Sequence, residues 1–120
     1  MTELFLNAGI DPLINSKVIP ISYLRGSNIK EFKIPDGITV ILDGAFRDCL
    51  ELEKVSLPLS IGVISSTSFL YCPNLKMILY EGTKEQLASI SGIKYIIRTC
   101  HYLNCTIRCS DGDVDVSNLF

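Results

Sequence analysis

The stretch IPDGITVILDGAF, residues 34–46, returns 23 residues later as LPLSIGVISSTSF, residues 57–69. Self-similarity at a fixed period constrains a chain strongly, because it means that one structural unit is built more than once. Aligned at that shift, residues 29–51 and 52–74 share six identities: Pro35/Pro58, Ile38/Ile61, Val40/Val63, Ile41/Ile64, Phe46/Phe69 and Cys49/Cys72. Ile29/Leu52, Phe32/Val55 and Ile34/Leu57 exchange one apolar residue for another. A third copy opens at Leu75 with LKMILYEG and then diverges. An earlier half-copy, VIPISYLRGSN, places Tyr23 in the phenylalanine position.

Each unit begins as a strand. In IKEFKIP, Phe32 and Ile34 point one way and Glu31 and Lys33 the other. Pro35 ends the strand because it has no N–H to give to a ladder. A second short extended stretch, ITVI, follows. A tight turn then carries Phe46 inward and closes on Cys49. One such unit cannot bury its own apolar face, whereas stacked copies cover one another, which is the logic of a solenoid.

The pattern L-x-x-I-x-I-P-x-x-I-x-x-I-x-x-x-A-F-x-x-C resembles the BspA-like leucine-rich repeat found in bacterial surface antigens and in phage or prophage proteins. The likeness is close over 29–74 and looser over 12–28. LYEGTKEQLASI and CTIRCSDGDV resemble the segment that closes such repeats. Leu42 stands where a glycine is usual and Ser68 where alanine is usual. The resemblance implies an α/β repeat fold. It would be a short leucine-rich-repeat solenoid with a parallel sheet on one face, capped by a C-terminal helix and β-hairpin. The chain of 120 residues reads as one domain: a degenerate N-terminal repeat or cap at 1–28, repeats at 29–79 and a C-terminal cap at 80–120.

Within that cap, Thr83 and Gln86 form a capping box that opens a helix to about Ile90, stopped by Gly92. IKYIIR reads as a strand, and CTIRCSDGDVDV as a hairpin turning at Asp111-Gly112. A cap is required because the last coil would otherwise expose its core.

Composition excludes several functions. Net charge is −2 and no run of Lys and Arg breaks that balance, so neither nucleic acid nor an anionic membrane is an expected partner. MTELFLNAGIDP has neither the basic nor the apolar region of a secretory leader, and no apolar run reaches a membrane-spanning length. These features predict a cytoplasmic protein, placed at a cell surface or in a virion only if exported by another route. The five cysteines are an odd number and read as free thiols rather than a disulfide framework.

Cys100, His101, Cys105 and Cys109, in CHYLNCTIRC, are the candidate zinc ligands by chemistry. Their spacing lacks the paired C-x2-C of fingers and ribbons. In the strand reading, Cys105, Ile107 and Cys109 share one face as small apolar side chains. A Cys105–Cys109 or Cys100–Cys109 disulfide is the alternative outside the cytosol. Cys49 and Cys72 are repeat-equivalent, whereas a catalytic nucleophile needs a singular environment. A Cys-His dyad of His101 with Cys105 or Cys109 lacks an orienting third group. No enzyme and no cofactor are expected.

The leading expectation is a monomeric, non-enzymatic protein–protein interaction module. It would be a small phage or mobile-element protein that binds and inhibits a host protein. The alternatives are a structural surface or virion component, receptor-binding or self-assembling, and a zinc-binding module. In-register stacking puts Glu31, Lys54 and Met77 in one outward row and Lys33, Ser56 and Leu79 in the next. These residues are the predicted partner-binding face. Met77 and Leu79 are apolar there. Either the C-terminal cap folds over them or they belong to a binding patch.

Overall fold

A computed structural model of the chain describes residues 17–116; residues 1–16 of the expected N-terminal repeat and 117–120 of the expected cap lie outside them. The strands are β1 (Val18–Ile19), β2 (Glu31–Lys33), β3 (Val40–Ile41), β4 (Lys54–Leu57), β5 (Val63–Ile64) and β6 (Met77–Tyr80). Two helices follow, α1 (Lys84–Ala88) and α2 (Ile93–Leu103), then β7 (Thr106–Cys109) and β8 (Gly112–Asp113). Two sheets form the walls: β1-β3-β5, and β2-β4-β6-β7-β8. All neighbours run parallel except the β7–β8 hairpin. This is the expected short solenoid.

Register follows the repeat. Glu31, Phe32 and Lys33 stand beside Lys54, Val55 and Ser56, and those beside Met77, Ile78 and Leu79. Along each strand the inward residues are buried and the outward ones exposed or half-buried. Pro35 and Pro58 sit just beyond these strands, where a missing N–H leaves no gap in the ladder. The coils are also tied by side chains of the later copy. Ser60 Oγ accepts from Gly37 N at 3.1 Å, and Thr67 Oγ1 from Gly44 N at 3.1 Å.

The core is a ladder. Phe46 and Phe69 are buried and lie face to face, with ring centroids 5.0 Å apart and planes 4° apart. Phe32 packs obliquely on Phe46 at 5.5 Å. Cys49 and Cys72 sit beside them, each thiol donating to a carbonyl of the preceding coil: Leu24 O at 3.1 Å and Phe46 O at 2.9 Å. Ser68, at the position of Ala45, is fully buried yet satisfied, because its hydroxyl donates to Ser65 O at 2.9 Å.

The first coil departs from the expected register. Leu24, not Tyr23, occupies the position of Phe46. Leu24 N–H donates to Ala45 O, as Phe46 N–H donates to Ser68 O. The reason is a shift of 22 rather than 23, since Val18 pairs with Val40 while Val40 pairs with Val63. Tyr23 is left half-buried with its edge on Phe32.

The cap contains the larger corrections. The Thr83/Gln86 capping box is present, but α1 ends at Ala88, where the Ser89 N–H and hydroxyl both turn back to Gln86 O. IKYIIR is helical, the first half of α2. Its isoleucines favour a strand by β-branching, but Ile93, Ile96 and Cys100 recur at helical spacing and are the residues α2 buries. Gly92 caps the start of this helix rather than stopping the earlier one, with φ +87° in the left-handed region. The preceding residue continues the first sheet: Ser91 bridges Val63, and its carbonyl accepts from Ile64 N–H at 2.8 Å. The third copy is therefore an enlarged coil in which α2 replaces the turn. The hairpin turns one residue earlier than expected, at Ser110-Asp111. Ser110 N–H is held by Gly82 O at 2.8 Å, and Asp111 Oδ1 accepts from Lys84 N–H at the start of α1 at 2.9 Å.

Two outcomes follow. Phe69→Ala empties a stacked, buried site and should lower unfolding free energy by about 3–5 kcal/mol in a denaturant melt. Gly92→Ala should also destabilise, by roughly 1–3 kcal/mol for the strained backbone alone. There an added Cβ would lie 1.9 Å from Ile64 O, so the mutant should melt well below wild type in calorimetry.

Candidate interaction face

The outward surface of the larger sheet holds all six residues expected to meet a partner. One row reads Glu31, Lys54, Met77, Thr106 and the next Lys33, Ser56, Leu79, Arg108. Thr106 and Arg108 were not foreseen. Their signal was present, since Cys105, Ile107 and Cys109 alternate inward and force Thr106 and Arg108 outward. Reading this stretch as a separate cap hid that it is the next parallel strand of the same sheet.

Charge lies at both ends of this surface. Lys54 Nζ and Glu31 Oε1 are 3.6 Å apart and solvated, a cross-strand pair of about 0.2–1 kcal/mol. Arg108 grips Asp113 across the hairpin with two nitrogens, Nε to Oδ1 at 2.8 Å and the second at 3.4 Å. That guanidinium holds the Asp113 carboxyl below the usual carboxylate range. Between these ends lie Ser56, Met77, Leu79 and Thr106, all half-buried. Among the described residues, the hairpin extends the sheet at its edge, and Met77 and Leu79, flanked by strands, are half-buried.

The cysteine cluster takes a different form. Cys105 N–H donates to Cys100 O at 2.9 Å across the end of α2, and the Cys105 thiol donates to Thr106 O at 3.7 Å. Cys109 lies further along β7, pushed up in pKa by burial and then by the Asp111 carboxylate. The neighbouring Cys105 thiol, together with burial, pushes Cys100 well above the ordinary thiol range. Cys72 is raised in the same way by Cys49. His101 Nδ1 faces Val116 O at 3.0 Å. Among the described residues, no three His, Cys, Asp or Glu side chains converge where they could hold a metal ion. All five cysteines are free and buried. In native protein the thiols should therefore resist a disulfide reagent, with five equivalents reacting only on unfolding, as read by absorbance.

Residues 14–108 match the BspA type leucine rich repeat region, in six copies. A leucine rich cell surface protein from Faecalibacterium prausnitzii A2-165, known from a crystal structure, is similar to this chain with 38% identity and a TM-score of 0.62. The likeness covers 63% of this chain and 20% of that one, so this chain corresponds to about a fifth of its neighbour. No curated protein sequence matches. Among the described residues, no helix is long and apolar enough to cross a membrane.

Proposed function

Because the chain belongs to the BspA-type leucine-rich repeat family, we propose that it is a non-enzymatic, monomeric module that binds a protein partner through the outward face of its five-stranded sheet. The observation that carries this reading is the composition of that face. Half-buried Met77 and Leu79 form an apolar centre, and Glu31, Lys33, Lys54 and Arg108 stand around it. An apolar centre with a polar margin is the anatomy of protein–protein contacts. Uncharged Ser56, Met77, Leu79 and Thr106 separate the cations, and Glu31 and Asp113 pair with Lys54 and Arg108, so no continuous basic stripe is offered to a nucleic-acid backbone.

The neighbour's description as a cell surface protein favours the exported setting over the cytoplasmic one. The phage origin and the inhibitory role expected from the sequence draw no support from the matches. In this reading the partner is met outside the cell, and binding needs no change in the partner's activity.

Lys54→Glu and Met77→Asp test the face. Each changes an outward side chain whose strand neighbours, Val55 and Ile78, supply the core. The cost to the fold of placing like charges at 31 and 54 is about 0.2–1 kcal/mol, whereas like charges across an interface cost several. Affinity capture from surface extracts, read by mass spectrometry beside a thermal melt, should show both mutants folded and the wild-type partner lost. Capture unchanged in both would place the site elsewhere on the molecule.

A further inference from the structure

A second surface lies away from the sheet, on the side of the coil turns. Where α2 replaces the turn of the enlarged coil, a groove of about 310 Å³ opens between the helix and the preceding turn. Leu70, Tyr71 and Pro73 form one wall and Thr99, Tyr102 and Leu103 the other. The volume sits at the lower end of ligand pockets, roughly 300–1,000 Å³, which suits one or two inserted side chains. The two tyrosines are 60% and 77% exposed, at the rim of an apolar trough.

Two features mark this as a recognition surface. The first is charge. The protein as a whole is acidic, with 13 Asp and Glu against 11 Lys and Arg. Yet neither α2 nor the residues lining the groove include a carboxylate. The cation at the groove's rim is held against a ring, Arg47 over Tyr71 at 5.4 Å, while Lys94 and Arg98 stack on Tyr95 elsewhere on α2, at 5.3 and 6.0 Å. Arg47 Nε is enclosed without a hydrogen-bond acceptor; Asp48 Oδ2, at 3.9 Å, is within ion-pair range but too far for a hydrogen bond. The second is backbone conformation. Tyr71 has φ +61°, the left-handed region, where the equivalent residues of the earlier coils are Gly26 and Asp48. A bulky aromatic is disfavoured there. This one contributes little to the core, being largely exposed.

We propose that this groove docks an extended acidic peptide segment of a partner protein. One aromatic or large aliphatic side chain of the segment inserts between Tyr71 and Tyr102, and a flanking carboxylate meets Arg47, which lies against the Tyr71 ring. Charge complementarity selects the occupant: Arg47, whose enclosed Nε has no hydrogen-bond acceptor, attracts a carboxylate, and the trough, with Thr99 as its one hydroxyl between the tyrosines, takes an apolar anchor. The site is independent of the sheet face.

The test uses a fluorescein-labelled hexapeptide with one phenylalanine among aspartates and glutamates, read by anisotropy against the full chain. Controls replace its acids by lysine or its phenylalanine by alanine. The acidic phenylalanine peptide should bind, and each control should bind at least about tenfold more weakly, as expected of a hot-spot contact. Tyr102→Ala and Arg47→Glu should weaken it by a similar factor, and Lys54→Glu should leave it unchanged. Tyr71→Asn should also weaken binding while raising the melting temperature, because asparagine accepts the left-handed backbone; a purely structural tyrosine would not give both changes. No binding at millimolar protein, or binding indifferent to these changes, would overturn the proposal. Tyrosine-dependent binding to phosphatidylglycerol vesicles without peptide binding would overturn it in favour of a lipid surface. Nuclear Overhauser contacts from Leu119 or Phe120 to Tyr102 in the free chain would do so too, since the groove would then be filled by the chain itself.

Discussion

Every coil of this protein presents an apolar wall that it cannot cover by itself. The covering is done sideways, by the coil before and the coil after. The flat contact of Phe46 on Phe69, with Cys49 and Cys72 beside them donating into the preceding coil, is where this dependence is most concentrated. Aromatic faces repel one another when stacked in full overlap and attract when offset. A parallel pair at 5.0 Å is thus compatible only with a closely fixed relation between successive coils. The sheet register, the turn hydrogen bonds and the placement of the outward rows all follow from that relation.

The end of the ladder shows how the constraint is met when the repeat runs out. The enlarged coil keeps its strand, β6, and keeps a bridge at Ser91 where the smaller sheet needs a partner. Between and after them it substitutes helices. Ile93, Ile96 and Cys100 of α2 supply apolar cover at the position where another turn would have stood. β7 then adds a further parallel strand before the chain turns back as β8. Capping and surface are thereby linked: the helix that closes the core also builds the wall of a groove, and the strand that follows it extends the outward face.

How much of this was legible in the sequence depended on whether a residue's role repeats. Phe46, Phe69, Cys49, Cys72 and the strand rows were readable because each position is stated twice, at one spacing. Leu24 was misplaced because the first coil is one residue shorter, and a single adjacent tyrosine was the more conspicuous aromatic. IKYIIR was misread because β-branched residues suit a strand in isolation, while burial of Ile93 and Ile96 at helical spacing and the left-handed Gly92 select a helix. Thr106 and Arg108 joined the outward face through a parallel pairing 29 residues away from β6, a spacing that no repeat announces. The groove was not legible at all, since it arises where the helix departs from the repeat.

If lateral cover is what holds the molecule together, the solenoid and its helical cap should open as one cooperative unit. Native-state amide hydrogen exchange measures this directly. The backbone amides of Val55, Ile78 and Ile107, on three neighbouring strands of the larger sheet, should exchange with the same free energy, equal to that of global unfolding. Exchange of Ile107 and the α2 amides at a markedly lower free energy than Val55 would contradict the account, because the core of the last coil would then survive without its cover.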